Sequence, residues 1–302
     1  MNKSLEIKHL TNSKIDYKKW DLCINDATNK NLYAQSWYLN IVSPNWEAFV
    51  FGNYEFVMPL TIKTKFGFKY LSQPYFAQQL GIFPSPSKEI QKYFANTLAQ
   101  KFRFINYQIN WQMDEMCFSS FSSFKRTNLI LKLADYNTIY KNYKENTRRN
   151  IKKANTNKIR VMQISTETYL NNFESKYPVP KSALLQLERI MYYAIHNGQG
   201  EILGAYSTNN ILCAAAFFLR AGNRIIYLNA FSTDLGRENR SMYAIIDKYI
   251  LENENSDYIL DFEGSNKEGL AKFYKGFGAK VENYYHIYLN RLPFVFKVLK
   301  KI

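Results

Sequence analysis

Cysteine and histidine are both scarce in this chain, which has three residues of each type among 302. Cys23, Cys117 and Cys213 are odd in number and far apart, so they support neither a disulfide framework nor a CxxC metal site. The histidines stand in no recognisable nucleophile or metal-binding motif. We therefore expect no metal and a reducing compartment.

Long apolar runs are also missing. The longest, residues 211–219, is far shorter than the roughly 20 residues that a membrane span needs. The opening residues MNKSLEIKHLTNSK lack the apolar core of a signal peptide. The sequence thus predicts a cytoplasmic protein. The tail RLPFVFKVLKKI leaves two alternatives, a packed last helix or a segment lying on the anionic inner face of the membrane.

Acidic residues are few, with 25 Asp and Glu against 40 Lys and Arg, for a net charge of +15. Such a surface attracts phosphate-rich ligands, whether nucleic acid, anionic lipid head groups or a coenzyme. A generally lysine-rich composition is the alternative explanation. Hydrophobic residues make up 46% of the chain, which suffices for one large globular domain or two of ordinary size.

Residues 258–281, YILDFEGSNKEGLAKFYKGFGAKV, combine a strand, two acids and a basic aromatic helix. The apolar run 258–262 predicts a buried strand that ends at Gly264. Asp261 and Glu263 are two positions apart, so on an extended chain both face the same way. Acids at a strand end predict a ligand site, but they could equally cap the next helix and pair with nearby lysines.

The helix that follows has its own signals. Ser265 or Asn266 is the predicted cap, with Glu268 in the first turn. Apolar residues then recur at helical spacing, namely Leu270, Phe273 and Phe277. Gly278 is expected to end the helix.

Elsewhere, predicted strands and helices follow an order that occurs twice. In the first half we expect helices over residues 17–27, 37–42 and 88–101, and strands over 5–10, 46–51, 56–63, 68–71 and 104–109. In the second half we expect helices over 138–154, 181–196 and 241–252, and strands over 159–164, 201–206, 211–220 and 224–231. In each half a three-strand meander precedes a helix and a strand. This predicts two copies of one mixed α/β unit, residues 1–122 and 123–302, divided in the serine-rich FSSFSSFK.

Three parts of the sequence resemble the Fem-like peptidyltransferases of peptidoglycan bridge synthesis and neighbouring GNAT-type acyltransferases. They are RRNIKKA at 148–154, the segment from FEGS to FGA at 262–279, and an N-terminal set of SWYL, MPL and QPYFAQQLGIF. The resemblance covers nearly the whole chain. It implies a mixed α+β fold of two tandem GNAT-like units, each a largely antiparallel sheet flanked by helices, with the acyl-transfer cleft in the second unit.

The resemblance also implies a reaction, the transfer of an acyl or aminoacyl group from acyl-CoA or aminoacyl-tRNA to an amine. The acceptor would be a small-molecule or lipid-linked amine, such as a cell-envelope precursor. The alternative is a non-catalytic GNAT-fold protein that binds nucleic acid or anionic lipid. The family's glycine-spaced pyrophosphate loop is replaced by DLGRENRSM, which favours the alternative, whereas the acids and the FGA helix favour an enzyme.

In GNAT-like units the acyl group lies between two strands that splay apart. By position, residues 229–232 should line one side and residues 261–263 the other. Glu263 or Asp261 would then accept the amine proton, directly or through water, or would only orient the amine. In Fem-type members a lysine follows the phenylalanine of the last helix. Here Tyr274 follows Phe273 and Lys275 comes next, so the resemblance makes Tyr274 and Lys275 catalytic candidates.

The donor would be held by cations and a helix start. Arg237, Arg240 and the amides at Ser241 form a candidate phosphate site, together with Asn229 and Phe273 around the acyl group. Ser241 as a plain helix cap is the alternative.

Two further sets complete the candidates for anion or acceptor binding. Arg148, Arg149 and Lys152 lie on one helix and either contact a phosphate backbone or form a solvated basic face. Tyr75, Gln78 and Gln79 either line an acceptor groove between the units or hydrogen-bond a buried loop.

Overall fold

The computed structural model describes residues 6–65, 67–175, 179–264 and 267–293. The chain forms two compact units. The first contains the residues up to Arg126 and those from Asn283 onward, and the second is Thr127–Glu282. The predicted caps Ser265 and Asn266, and the tail from Phe294, lie outside the described residues.

Both units contain helices together with runs of consecutive strands, in residues 47–72 and 200–232, which confirms the mixed α+β class. The strands are β1 (Ile7–Leu10), β2 (Glu47–Phe51), β3 (Phe56–Leu60), β4 (Ile62–Lys65), β5 (Phe68–Ser72), β6 (Phe104–Ile109), β7 (Ser122–Lys132), β8 (Arg160–Gln163), β9 (Gly200–Tyr206), β10 (Leu212–Ala221), β11 (Arg224–Ser232), β12 (Ile259–Gly264) and β13 (Lys280–Asn290). The helices are α1 (Tyr17–Asp26), α2 (Ser36–Val42), α3 (Lys88–Lys101), α4 (Tyr136–Lys141), α5 (Glu145–Thr156), α6 (Thr166–Glu174), α7 (Lys181–His196), α8 (Asp234–Glu238), α9 (Ser241–Glu252) and α10 (Glu268–Gly276). None of the helices in the described residues has the length and apolar character that crossing a membrane requires.

The first unit contains two sheets. β1, β2 and β3 form an antiparallel sheet in that order. β4, β5, β6 and β13 form the other, in which β5 and β6 are parallel and the neighbouring pairs are antiparallel. The end of the chain therefore supplies a strand to the unit that begins it.

The prediction of one strand over residues 56–63 is wrong. β3 ends at Leu60 and β4 begins at Ile62, so the chain changes sheet at Thr61. The Thr61 carbonyl accepts the N–H of Ser72 (3.2 Å), and its hydroxyl donates to the Ser72 carbonyl (2.7 Å). Pro59, two positions before the change, is a residue that argues against one regular strand, although Thr61 itself is not a turn residue.

The second unit is built on a sheet with the strand order β7-β12-β11-β10-β9-β8. β9, β10 and β11 form the predicted antiparallel meander. α9 packs its apolar face on this sheet, and the Tyr249 ring stacks on Phe218 with centroids 3.7 Å apart. This core fixes the strands that carry the site.

The single helix predicted over residues 138–154 is also wrong, because α4 ends at Lys141 and α5 begins at Glu145. Tyr143 lies in the break, where its ring is buried against Phe277 at 5.2 Å. Lys144 donates its N–H to the carbonyl of Gly276 (2.8 Å). The helical periodicity of the sequence continues across residues 142–144, but tertiary packing there ends one helix before the next begins.

Both units connect two parallel strands through a helix, α3 between β5 and β6 and α9 between β11 and β12. Pairing is short in both cases. It covers Leu71 and Ser72 in the first unit and Arg224 to Ile226 in the second. The repeated strand–helix–strand order is therefore present in the topology. The meander predicted for the first half is not, because its strands are divided between two sheets.

Candidate active site

β11 and β12 part in the second unit. They pair in parallel from Arg224 opposite Ile259 to Ile226 opposite Asp261, although β11 continues to Ser232. Across β10, Phe217 faces Asn229 while Phe218 faces Tyr227, so Leu228 is the extra residue of a β-bulge. The strands separate directly beyond their last pair, which opens a space between them.

A cavity of about 570 Å³ lies at this separation. Its wall comes from β11, β12, the α8 region, the start of α9, and α10. The lining residues are Tyr227, Leu228, Asn229, Ala230, Phe231, Ser232, Gly236, Arg237, Arg240, Met242, Tyr243, Phe262, Glu263, Gly264, Leu270, Phe273 and Tyr274. Aromatic and aliphatic side chains predominate, with one carboxylate and two guanidinium groups among them, as in many ligand sites.

Glu263 supplies that carboxylate, and its backbone is unusual. Its φ is +57°, in the left-handed region that residues other than glycine seldom adopt. Its N–H donates to Oδ1 of Asp261 at 2.9 Å. Because the chain is not extended here, the two acids do not share a face. Glu263 lines the cavity and Asp261 does not.

Asp261 belongs instead to a buried ion cluster. Its Oδ2 accepts a 2.7 Å hydrogen bond from Nη1 of Arg224. Arg224 also donates to both oxygens of Glu282, at 2.7 and 3.0 Å. Burial raises the pKa of Asp261, and the Arg224 charge opposes that rise. Burial lowers the pKa of Arg224, but Glu282 and Asp261 together raise it above its ordinary value, so Arg224 stays charged.

Tyr274 is buried, and its ring stacks on Phe262 at 4.6 Å. Burial, with the negative charge of Glu263 adding to it, raises the pKa of Tyr274. The phenol therefore stays protonated and can donate a hydrogen bond into the cavity. Lys275, the other candidate on this helix, is exposed and does not line the cavity. Phe273 lines it and packs edge-on against Tyr243 at 4.7 Å.

Of the residues predicted to bind the donor phosphate, Arg237 and Arg240 face the cavity and Ser241 does not. Arg237 and Arg240 both line the cavity, and Arg237 donates to the Ser232 carbonyl (3.0 Å) and pairs with Asp234. Arg240 has a φ of +61° and caps α9, so Ser241 is the first residue of the helix and not its cap. Ser241 is fully buried and does not line the cavity.

The basic residues of α5 do not reach the cavity wall. Arg149 and Lys152 are exposed and Arg148 is half-buried, whereas Ile151 and Ala154 face the core. The helix thus presents a cationic outer face.

Tyr75, Gln78 and Gln79 lie in the first unit, in the segment that follows β5. Tyr75 is exposed, whereas Gln79 is buried, donates to the Gln78 side chain (2.6 Å) and accepts the N–H of Trp111 (3.1 Å). The same segment bonds β6, since the N–H of Leu80 donates to Gln108. These contacts correspond to the buried-loop alternative.

Several residues around the cavity were missed in the sequence. Tyr169 on α6 donates to Asn229 at 2.6 Å, and Arg224 and Glu282 form the ion cluster. Tyr169 and Glu282 lie outside the cavity-lining segments, whereas Arg224 opens β11 shortly before Tyr227, but no local motif marks any of the three. Within the described residues no group of three or more His, Cys, Asp or Glu side chains is arranged to hold a metal ion.

No protein-family model matches the sequence, and no curated protein matches it significantly. Solved structures do match. FemX superimposes with a TM-score of 0.66 at 13% identity, covering 98% of this chain and all of that one. The chain has a Fem-like fold.

Two more distant structures agree with the Fem-like fold. L-PGS from Bacillus licheniformis gives a TM-score of 0.51 at 11% identity and covers 84% of this chain and 87% of its own. A GCN5-related glucosamine N-acetyltransferase region of a fungal multi-domain protein gives 0.50 at 11% identity, covering 94% of this chain and 38% of that one. At such identities the likeness concerns the fold alone.

Proposed function

We propose that the cavity between β11 and β12 transfers an acyl or aminoacyl group to an amine nitrogen. The observation that carries the proposal is the separation of the two strands beyond Ile226 and Asp261. The separation leaves Asn229 on one wall and the Glu263 carboxylate on the other. An acyl group held there would have hydrogen-bond donors and a base within one enclosure.

In the proposed reaction the amine nitrogen attacks the donor carbonyl carbon. A C–N bond forms, and the bond from that carbon to the donor's sulfur or oxygen breaks. Glu263 takes the proton that the amine loses, directly or through water, and the departing thiol or hydroxyl group receives a proton in turn. Tyr274 and the amide of Asn229 donate hydrogen bonds to the oxygen that becomes negative in the transition state.

The donor is an acyl-CoA or an aminoacyl-tRNA, both of which carry phosphates. Arg237 and Arg240 on the cavity wall would bind one of these phosphates. The acceptor is a small or lipid-linked amine of the cell envelope. The similarity in fold to FemX supports this class of reaction.

The test is a transfer assay with purified protein, short- and long-chain acyl-CoAs, a set of aminoacyl-tRNAs and amine acceptors. Glu263→Gln should lower turnover by about 100-fold or more, the range for loss of a general base. Glu268→Gln is the matched control, since Glu268 is exposed on α10 and does not line the cavity. It should stay within about threefold of the parent. Equal turnover of Glu263→Gln and the parent across pH would refute Glu263 as the base.

A further inference from the structure

We infer that Asp261 is a positioning residue, which holds Glu263 in the left-handed conformation that brings its carboxylate to the cavity. The inference rests on the proposed function for what Glu263 does there. The placement of Glu263 can be tested without any substrate.

The backbone of Glu263 requires something to hold it. A glutamate at φ +57° is strained, because its Cβ approaches the neighbouring carbonyl oxygen. The Asp261 carboxylate compensates by accepting the Glu263 N–H at 2.9 Å, a hydrogen bond that spans two residues and closes a tight turn. The antiparallel pairing of β12 with β7 is interrupted between Asp261 and Gly264. The turn therefore occurs where β12 has left its regular pairing with both neighbours.

Both oxygens of Asp261 are engaged, Oδ1 by the Glu263 N–H and Oδ2 by Arg224. The residue is 5% exposed. A carboxylate so occupied is poorly placed to take a proton from a substrate. Its effect on the cavity is exerted through the backbone of Glu263.

Arg224 helps to keep Asp261 in place, together with a hydrogen bond from the Asn128 side chain. The Arg224 guanidinium is fixed from the other side by both oxygens of Glu282, and Asn128 donates to Glu282 at 3.4 Å. A cluster of this kind could serve only to stabilise the sheet. Variants of Asp261 and Glu282 distinguish stabilisation of the sheet from positioning of Glu263. Both residues pair with Arg224, but of these two only Asp261 bonds the Glu263 backbone.

The experiment compares Asp261→Ala, Asp261→Asn and Glu282→Gln by crystallography. Asp261→Ala removes the acceptor and should return residue 263 to negative φ, taking the carboxylate off the cavity wall. Asp261→Asn loses the pairing with Arg224, because its NH₂ group cannot accept a hydrogen bond, but it keeps one oxygen for the Glu263 N–H and should retain the turn. Glu282→Gln weakens the same ion cluster and should also retain it. A left-handed Glu263 in Asp261→Ala would overturn the inference.

A second measurement covers the case in which Asp261→Ala fails to fold. In the parent protein the Glu263 amide should exchange with solvent at least about tenfold more slowly than an unstructured amide, because its N–H is bonded. Exchange at the unstructured rate would also overturn the inference.

Turnover gives the functional arm. In a working transfer assay Asp261→Ala should show the reduced turnover and altered pH profile of Glu263→Gln, while Asp261→Asn recovers most of the activity. A normal pH profile in Asp261→Ala would contradict the positioning role. If no donor supports transfer, the proposed function fails. The crystal structures of the variants still decide whether Asp261 holds Glu263 in the left-handed conformation.

Discussion

The hydroxyl of Tyr169 donates a 2.6 Å hydrogen bond to Oδ1 of Asn229 on the cavity wall. Tyr169 is fully buried, with its ring against Phe173 and Phe231. Because this hydrogen bond holds the Asn229 oxygen toward Tyr169, it fixes the orientation of the amide, whose NH₂ group can donate to a ligand. Tyr169 lies on α6, a helix that was not predicted from the sequence, and it orients the Asn229 amide on the cavity wall.

Tyr169→Phe should lower the free energy of unfolding by about 1 kcal/mol, the net worth of an ordinary hydrogen bond. It should also raise the KM of the donor, because the Asn229 amide can then rotate. Urea denaturation and steady-state kinetics measure the two effects. Tyr227→Phe is the matched control for the stability measurement alone, because Tyr227 itself lines the cavity. Its hydroxyl bonds a weak acceptor, the sulfur of Met242 at 3.1 Å, so its decrease in stability should be smaller.

Gly236 and Gly269 should respond in opposite ways to alanine. A Cβ at Gly236 would lie 2.0 Å from the carbonyl oxygen of Cys213, so α8 must shift and carry Arg237 with it. We expect a decrease of about 1–3 kcal/mol in stability and weaker donor binding. A Cβ at Gly269, on the first turn of α10, meets no atom within 4 Å. That variant should gain up to about 1 kcal/mol in a thermal or urea denaturation. A stable Gly236→Ala protein with unchanged binding would contradict the clash.

The outer face of α5 should contribute to binding of a phosphate-rich carrier. Replacing both Arg149 and Lys152 with Gln should reduce the slope of log binding constant against log salt concentration by about one for each phosphate that the variant no longer neutralises. Binding of tRNA measured over a range of salt concentrations gives this slope. The control is the double variant Lys92→Gln and Lys101→Gln. It removes two positive charges as well, but from the exposed side of α3. Equal slopes in the two double variants would assign the effect to net charge alone.

His286 should make stability depend on pH. Burial and the Arg126 charge lower the pKa of His286, whose Nε2 lies 2.6 Å from Oδ1 of Asn106. In the unfolded chain a histidine binds its proton near pH 6.5. Between the lowered folded pKa and about 6.5 the unfolded state holds more protons, so stability falls as the pH is lowered through this window.

Urea denaturation at pH 7.5 and at pH 5.5 measures this dependence. His286→Gln keeps a donor for Asn106 and should lose less stability on acidification than the parent. His9, whose pKa burial also lowers, is unchanged in both proteins, so the comparison isolates His286. Identical losses would show that His286 takes no part.

Some elements could be predicted closely. α3, α7, α9 and β6 have the predicted bounds, because each carries a clear apolar period and ends at an abrupt change of composition. The fold class and the repeated strand–helix–strand order were also predictable, since they depend on the sequence of elements and not on their ends.

Other elements could not be predicted, for identifiable reasons. β7 opens in the serine-rich segment that suggests a linker, and β13 mixes polar and aromatic residues over its whole length. α8 has too few residues for a convincing period. α6 is as long as α10, but it has only three apolar residues, Tyr169, Leu170 and Phe173, among polar ones. At the site, the spacing of Asp261 and Glu263 predicts a common face only for an extended backbone. In the left-handed turn that separates them, the Glu263 N–H bonds Asp261, which itself pairs with Arg224, 37 positions away in sequence.

The pairing of β13 with β6 affects how the protein is made. Tyr285 to Asn290 complete the sheet edge formed by Phe104 to Ile109, so the first unit needs residues that the ribosome adds only after the whole second unit. Until then the β6 edge is open to another nascent chain. Folding of the amino-terminal portion therefore has to wait for the later portion to be translated, and a chain stopped before residue 283 should aggregate or be degraded.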